Sequence, residues 1–170
     1  ERTAGEPIIV LQANIRLGEA DAAGVVDLVR QYDADVLTVE ELTDDAVTRL
    51  RAAGIDDLLP EQFVSPRPEG GGGTGIYSRF PLRDAEPLGR FAMQNLVADL
   101  DLGDGRTVVL AAVHPMPPYP EPAWQWAAEK WAVVDDVGAH ELDAGAPARR
   151  SCNQAVTSAA ATPPMLPWSA

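Results

Sequence analysis

The chain has 170 residues, 46% apolar and 23% charged, which is the make-up of one globular domain large enough to bury a core. No run of 18 apolar residues occurs, so nothing in it suits a membrane-spanning helix. A net charge of −13, from 13 basic and 26 acidic residues, excludes strong non-specific gripping of nucleic acid through a basic face. Small phosphoesters or lipid headgroups suit that charge better, and an acidic surface kept for solubility suits it equally.

In chain order, Glu1 rather than Met comes first, which leaves an upstream leader or anchor open. Pro7–Ile15 is short, apolar and β-rich, the pattern of a buried strand. Asp21 can cap a helix over 21–32, in which Ala22, Val25, Val26 and Val29 recur at helical spacing. Asp35–Glu41 reads as a second buried strand. Thr43 can cap a second helix, with Val47 and Leu50 facing inward and Gly54 just past its end. Ser65–Thr74 holds two prolines and four glycines and reads as a loop, made mobile by Gly70–Gly73.

Gly75–Ser78 then forms a third strand, ended by Pro81. Asn95–Leu102 and Arg106–His114 read as a hairpin turning at Gly103-Asp104-Gly105. Met116–Pro122 is too proline-rich for regular structure, and Ala123–His140 reads as a helix whose Trp124, Trp126 and Trp131 suit core packing. None of the 26 acidic residues falls in the last 27 positions. That break divides the chain into a domain over 1–143 and an atypical, poorly ordered tail over 144–170. Strand–helix–strand–helix followed by antiparallel strands implies an α/β fold.

Three polar residues stand at the ends of apolar strands, where α/β folds place their sites: Asn14, Glu41 and His114. Glu41 offers the oxygen that a hard divalent cation prefers. An imidazole such as His114 can bond a phosphoryl oxygen or move a proton near neutral pH. Asn14 can orient a phosphate oxygen or a metal-bound water without adding charge. Each also has a structural reading by itself. Glu41 leads into an acidic helix start. His114 precedes Pro115 in a turn, and Asn14 is a common turn former. The single Cys152 and two histidines exclude an internal disulfide and a zinc cluster.

Four blocks in order resemble a known family: Leu11-Gln-Ala-Asn14, Asp35-Val-Leu-Thr-Val-Glu40-Glu41-Leu42, Thr74-Gly-Ile-Tyr-Ser-Arg79-Phe-Pro-Leu82 and Leu110-Ala-Ala-Val-His114-Pro115. Together, over about residues 7–140, they resemble the endonuclease/exonuclease/phosphatase superfamily, which includes nucleases, sphingomyelinases and inositol phosphatases. The resemblance implies a four-layered α/β sandwich and a hydrolase of phosphoesters that depends on Mg²⁺ or Mn²⁺. It implies a metal site at Glu41 and Asn14, catalytic roles for His114 and Asn14, and substrate contact by Arg79 in a Ser-Arg turn. Glu40 stands where the family often has Gln. The substrate is left open among small molecules, lipid headgroups and nucleic acid. The likeness is greatest to a membrane-anchored bacterial branch, similar to vancomycin- and teicoplanin-resistance-type proteins, which implies an extracytoplasmic or cell-surface domain; without that analogy the domain reads as cytoplasmic.

The chain departs from the family after the tryptophan-rich segment. It has no Gly-Asp-Phe-Asn block and no Ser-Asp-His block, which carry the remaining phosphate, metal and general-base groups. The expectation is therefore an incomplete domain, truncated or frameshifted near residue 144, with impaired catalysis and exposed sheet edges. The alternative expectation is a non-catalytic remnant that binds a phospho-ligand or a partner.

Overall fold

The computed structural model describes residues 7–68, 71–89, 92–115 and 136–137. The expected elements at 116–135 and 138–170 lie outside these residues. Two sheets carry the fold. The first holds β1 (Val10–Asn14), β2 (Val36–Glu40), β3 (Glu61–Ser65) and β4 (Thr74–Ser78) in the order β1-β2-β4-β3. The second holds β5 (Leu82–Leu88), β6 (Asn95–Asp101) and β7 (Thr107–Ala112) in sequential order. The helices are α1 (Ala22–Gln31), α2 (Asp44–Ala52) and α3 (Ile55–Leu58).

β1 and β2 pair in parallel, with Asn14 beside Glu40, so α1 is the crossover that a parallel pair requires. The Asp21 carboxylate accepts from Ala23 and Gly24 N–H, and Thr43 Oγ1 accepts from Ala46 N–H, so both expected caps form. Gly54 follows α2 at φ 92°, the left-handed stop that glycine permits.

Strand alternation divides the core. Leu37, Val39 and Tyr77 point to the helices and pack with Val26, Leu50 and Leu59. Val36 and Ile76 point the other way, onto Leu96, Ala98 and Leu100 of the second sheet. Beyond that sheet, Val137 in the helical pair Asp136–Val137 packs near Leu88 and Val97. The order is helix, sheet, sheet, helical segment: a mixed α/β sandwich.

Three elements escape the sequence reading. α3 is a single turn. β3 follows Pro60 and is only half-buried, so it lacks an apolar run. β5 carries Pro87, Asp84 at φ 45° and a register shift between Arg83 and Glu86, features of an irregular edge strand. The loop expected to be mobile is also pinned at its far end. Gly72 O accepts from Gln94 N–H at 2.8 Å, and Gly73 O accepts from Leu42 N–H at 3.0 Å. A Cβ at Gly73 would overlap the Leu42 carbonyl oxygen, so glycine is required there by close approach.

Candidate active site

Strand direction decides which residues meet. β1 and β2 end at the same edge, β4 starts there, and the end of β7 lies across from them in the second sheet. Asn14, Glu41 and His114 all sit at this edge.

Glu41 directly follows β2 and turns out of it with φ 60°. Its two carboxylate oxygens take different donors. Asn14 Nδ2 donates to Oε1 at 2.8 Å, and Leu17 N–H donates to Oε2 at 2.7 Å. The Leu17 N–H points inward because Arg16 and Leu17 are also left-handed, at φ 47° and 56°. Three of the six non-glycine residues with positive φ among the described residues thus lie at this one site. Each such conformation costs about 1 kcal/mol or more and persists only where its surroundings enforce it. Here the enforcement is visible: Asn14 Oδ1 accepts from Arg16 N–H at 2.9 Å, and Ile15 N–H donates to Glu40 O at 3.1 Å.

His114 Nε2 lies 4.0 Å from Glu41 Oε1. The two side chains are 16% and 21% exposed, so both are partly accessible to solvent. Burial pushes the imidazole pKa below its ordinary value, against a smaller upward pull from Glu41, so the ring is neutral at pH 7. His114 Nδ1 is buried and lacks a hydrogen-bond partner among the described residues. A buried ring nitrogen in that condition is costly unless something supplies the bond.

Glu40 lies on the opposite strand face, between the sheets, and accepts from Gln12 Nε2 at 2.9 Å. Burial raises its pKa to about 7, so it is largely a neutral acid below neutrality, a closer mimic of an amide than of a carboxylate.

Arg79 does not join the group. β2 pairs with β4 so that Val36 stands opposite Ser78, which puts Arg79 at the far end of the sheet. Five residues at about 3.3 Å each separate that end from Glu41, roughly 16 Å. There its guanidinium bonds Asp33 Oδ1 at 2.7 Å and Ala34 O at 3.3 Å, and lies 3.6 Å from the buried Asp35 carboxylate. There it ties the start of β2 to β4, and the fold does not bring it to the edge that joins Asn14, Glu41 and His114. The sequence reading also passed over Asn95, a fully buried residue at the start of β6 whose Oδ1 accepts from His114 N–H at 2.7 Å. An asparagine before an apolar run looks like a turn former, and its partner lies 19 residues away.

The family profile described as "Endonuclease/Exonuclease/phosphatase family" matches residues 11–148, most of the chain. The chain belongs to the endonuclease/exonuclease/phosphatase family. Solved structures agree on the family fold. Sphingomyelinase C from Streptomyces griseocarneus superposes with a TM-score of 0.65 at 20% identity, covering 84% of this chain and 61% of that one. TDP2 of D. rerio, solved with a single-strand DNA product, gives 0.62 at 19% identity, covering 82% and 56%. An endonuclease/exonuclease/phosphatase protein from Beutenbergia cavernae gives 0.54 at 18%, covering 74% and 43%. The chain therefore spans roughly two-fifths to three-fifths of these relatives' lengths. No curated protein matches the sequence. The family includes phosphoester hydrolases, and the edge that joins Asn14, Glu41 and His114 is where this member of the endonuclease/exonuclease/phosphatase family gathers its candidate chemistry.

Proposed function

We propose that this chain carries one half of the active site of a divalent-metal-dependent phosphoester hydrolase, with Glu41 as the metal ligand, Asn14 beside it and His114 facing the phosphate. The observation that supports this most is the partly exposed Glu41 carboxylate, oriented by Asn14 and Leu17 with the His114 imidazole 4.0 Å away.

The donor set suits the ion. Oxygen ligands around one partly exposed carboxylate match a hydrated Mg²⁺ or Mn²⁺, which keeps several waters and needs only one or two carboxylates. When bound, such an ion neutralises developing charge on the phosphoryl group and activates water. The chain's own groups do the rest. Asn14 and the Leu17 N–H orient the Glu41 carboxylate by one hydrogen bond to each oxygen, leaving a second lone pair on each. His114, with Nε2 facing the Glu41 carboxylate, can donate an N–H to a phosphate oxygen.

Among the described residues no three His, Cys, Asp or Glu side chains form a complete metal cluster. A second reading is a site that binds a phospho-ligand with little or no turnover. Substrate class, an extracytoplasmic location and the resistance-type branch belong to this proposal too. Among the described residues no helix is long and apolar enough to cross a membrane.

Hydrolysis of bis-p-nitrophenyl phosphate with Mn²⁺ or Mg²⁺ tests the reading. The expected result is metal-dependent turnover that Glu41→Ala and His114→Ala each lower by 100-fold or more, on the order of a lost charge-stabilising or proton-moving group. Turnover that survives Glu41→Ala in full overturns the assignment. No turnover, with phosphate still bound in a metal-dependent way, selects the binding reading.

A further inference from the structure

We propose that Asn95 is a positioning residue that sets the place of His114 opposite Glu41. The inference rests on reading those two residues as parts of one phosphoester site.

His114 lies two residues past the end of β7, and the last ladder pair is Leu96 with Ala112. No strand pairing holds the backbone where the imidazole leaves it. Asn95 takes over that task. Its Oδ1 accepts from His114 N–H at 2.7 Å, and its Nδ2 faces Met93 O at 3.4 Å. The residue is fully buried, so water does not compete for the bond. A buried amide is costly unless its bonds are made, and an apolar residue would extend the neighbouring Leu96 core more cheaply. The amide therefore has a local task, and the bond it makes is to the one residue of this strand end that bears a candidate catalytic ring.

The anchor continues to Glu41. Gln94 N–H donates to Gly72 O at 2.8 Å, and its own carbonyl accepts from Thr74 Oγ1 at 2.6 Å. Gly73 O accepts from Leu42 N–H, next to Glu41. The path from Glu41 through Leu42, Gly73, Gly72, Gln94 and Asn95 to His114 consists only of covalent and hydrogen bonds. It bridges the two sheets at their shared edge, so the separation of Glu41 from His114 does not depend on apolar packing alone, which permits sliding.

Asn95→Leu removes the acceptor at similar volume, and Asn95→Asp keeps an acceptor in the same place. The full chain with Mn²⁺ is assayed on bis-p-nitrophenyl phosphate, and the His114 amide and ring signals are followed by NMR. Asn95→Leu is expected to lower kcat by roughly tenfold to 100-fold, the effect of a small misplacement, with KM changed less than about twofold. It is also expected to lose protection of the His114 amide from hydrogen exchange and to broaden the ring signals. Asn95→Asp is expected to recover kcat to within about fivefold of the parent and to restore both NMR features. If Asn95→Leu does not fold, Asn95→Thr, whose shorter side chain falls short of the amide, takes its place. A folded Asn95→Leu or Asn95→Thr with unchanged kcat and an unmoved, sharp His114 ring overturns the proposal. If the parent chain shows no turnover, the hydrolase reading falls while the NMR comparison still decides the role of Asn95: a lost amide bond with a displaced ring supports it, and an undisturbed ring overturns it.

Discussion

At the residue scale, Glu40 and Glu41 are adjacent in sequence and opposite in environment. The left-handed turn at Glu41 sends its carboxylate to the solvent edge, while Glu40 stays in strand geometry and is buried between the sheets. Desolvation raises Glu40 from 4.5 to about 7, offset in part by the bond from Gln12. Between those two values the folded chain binds a proton that the unfolded chain has released. Stability from this group is therefore fully present below about pH 4.5 and is lost as pH rises through 7. The corresponding loss between pH 5 and pH 8 is up to about 3 kcal/mol. His114, with its depressed pKa, runs the other way, losing stability as pH falls below its ordinary range. The two are separated by Glu40→Gln, which keeps a bond to Gln12 without a titrating proton. Urea unfolding of the metal-free chain at several pH values is expected to show the parent losing stability against Glu40→Gln as pH rises from 5 to 8. A constant gap between the two chains sinks the assignment.

At the scale of elements, the two ends of β2 do different work. Its end carries Glu41, and its beginning is fastened by Arg79 to Asp33, Ala34 and Asp35, while Asp35 Oδ2 also accepts from Ile9 N–H at 2.9 Å. Asp35 has no exposed surface, so removing a cation beside it is costly. Arg79→Ala is expected to destabilise the chain by about 2–3 kcal/mol, discounted for the one-third exposure of the arginine. Metal-dependent turnover per folded molecule should not change. A variant of parental stability with a raised KM would return Arg79 to the substrate site. The same strand logic explains why the glycine run is short and tied down: its last two residues carry the hydrogen bonds that join β2 to the start of β6.

For the whole molecule, the first sheet ends at β1 and the second at β7, and Val10 and Val108 on these strands are 48% and 38% exposed. Both site-bearing strand ends, Asn14 and His114, thus belong to sheet-edge strands among the described residues. Such edges open more readily than central strands, so ligand binding at the site should stabilise the whole domain through mass action. Millimolar Mn²⁺ or Mg²⁺ is expected to raise the thermal midpoint, by about 2.7 kcal/mol of stability when the ion reaches 100 times its Kd. Glu41→Ala should abolish most of that rise. An equal rise in Glu41→Ala would mean that the cations merely screen the net charge of −13.

Much of this was legible in the sequence because it depends on local periodicity and local chemistry. The apolar runs at 7–15 and 35–41, the caps Asp21 and Thr43, the stop at Gly54 and the turn at Gly103–Gly105 each follow from neighbouring side chains. The candidates Asn14, Glu41 and His114 were visible as polar residues closing apolar strands. Tertiary structure decided what spacing cannot carry. It placed Arg79 beside the start of β2, away from Glu41, because strand direction and register are set by pairing between segments about 40 residues apart. It made β5 a strand despite its proline, because β6 supplies the partner. It joined Asn95 to His114 and Gly73 to Leu42, because a buried hydrogen bond is chosen by which groups two packed sheets bring within reach.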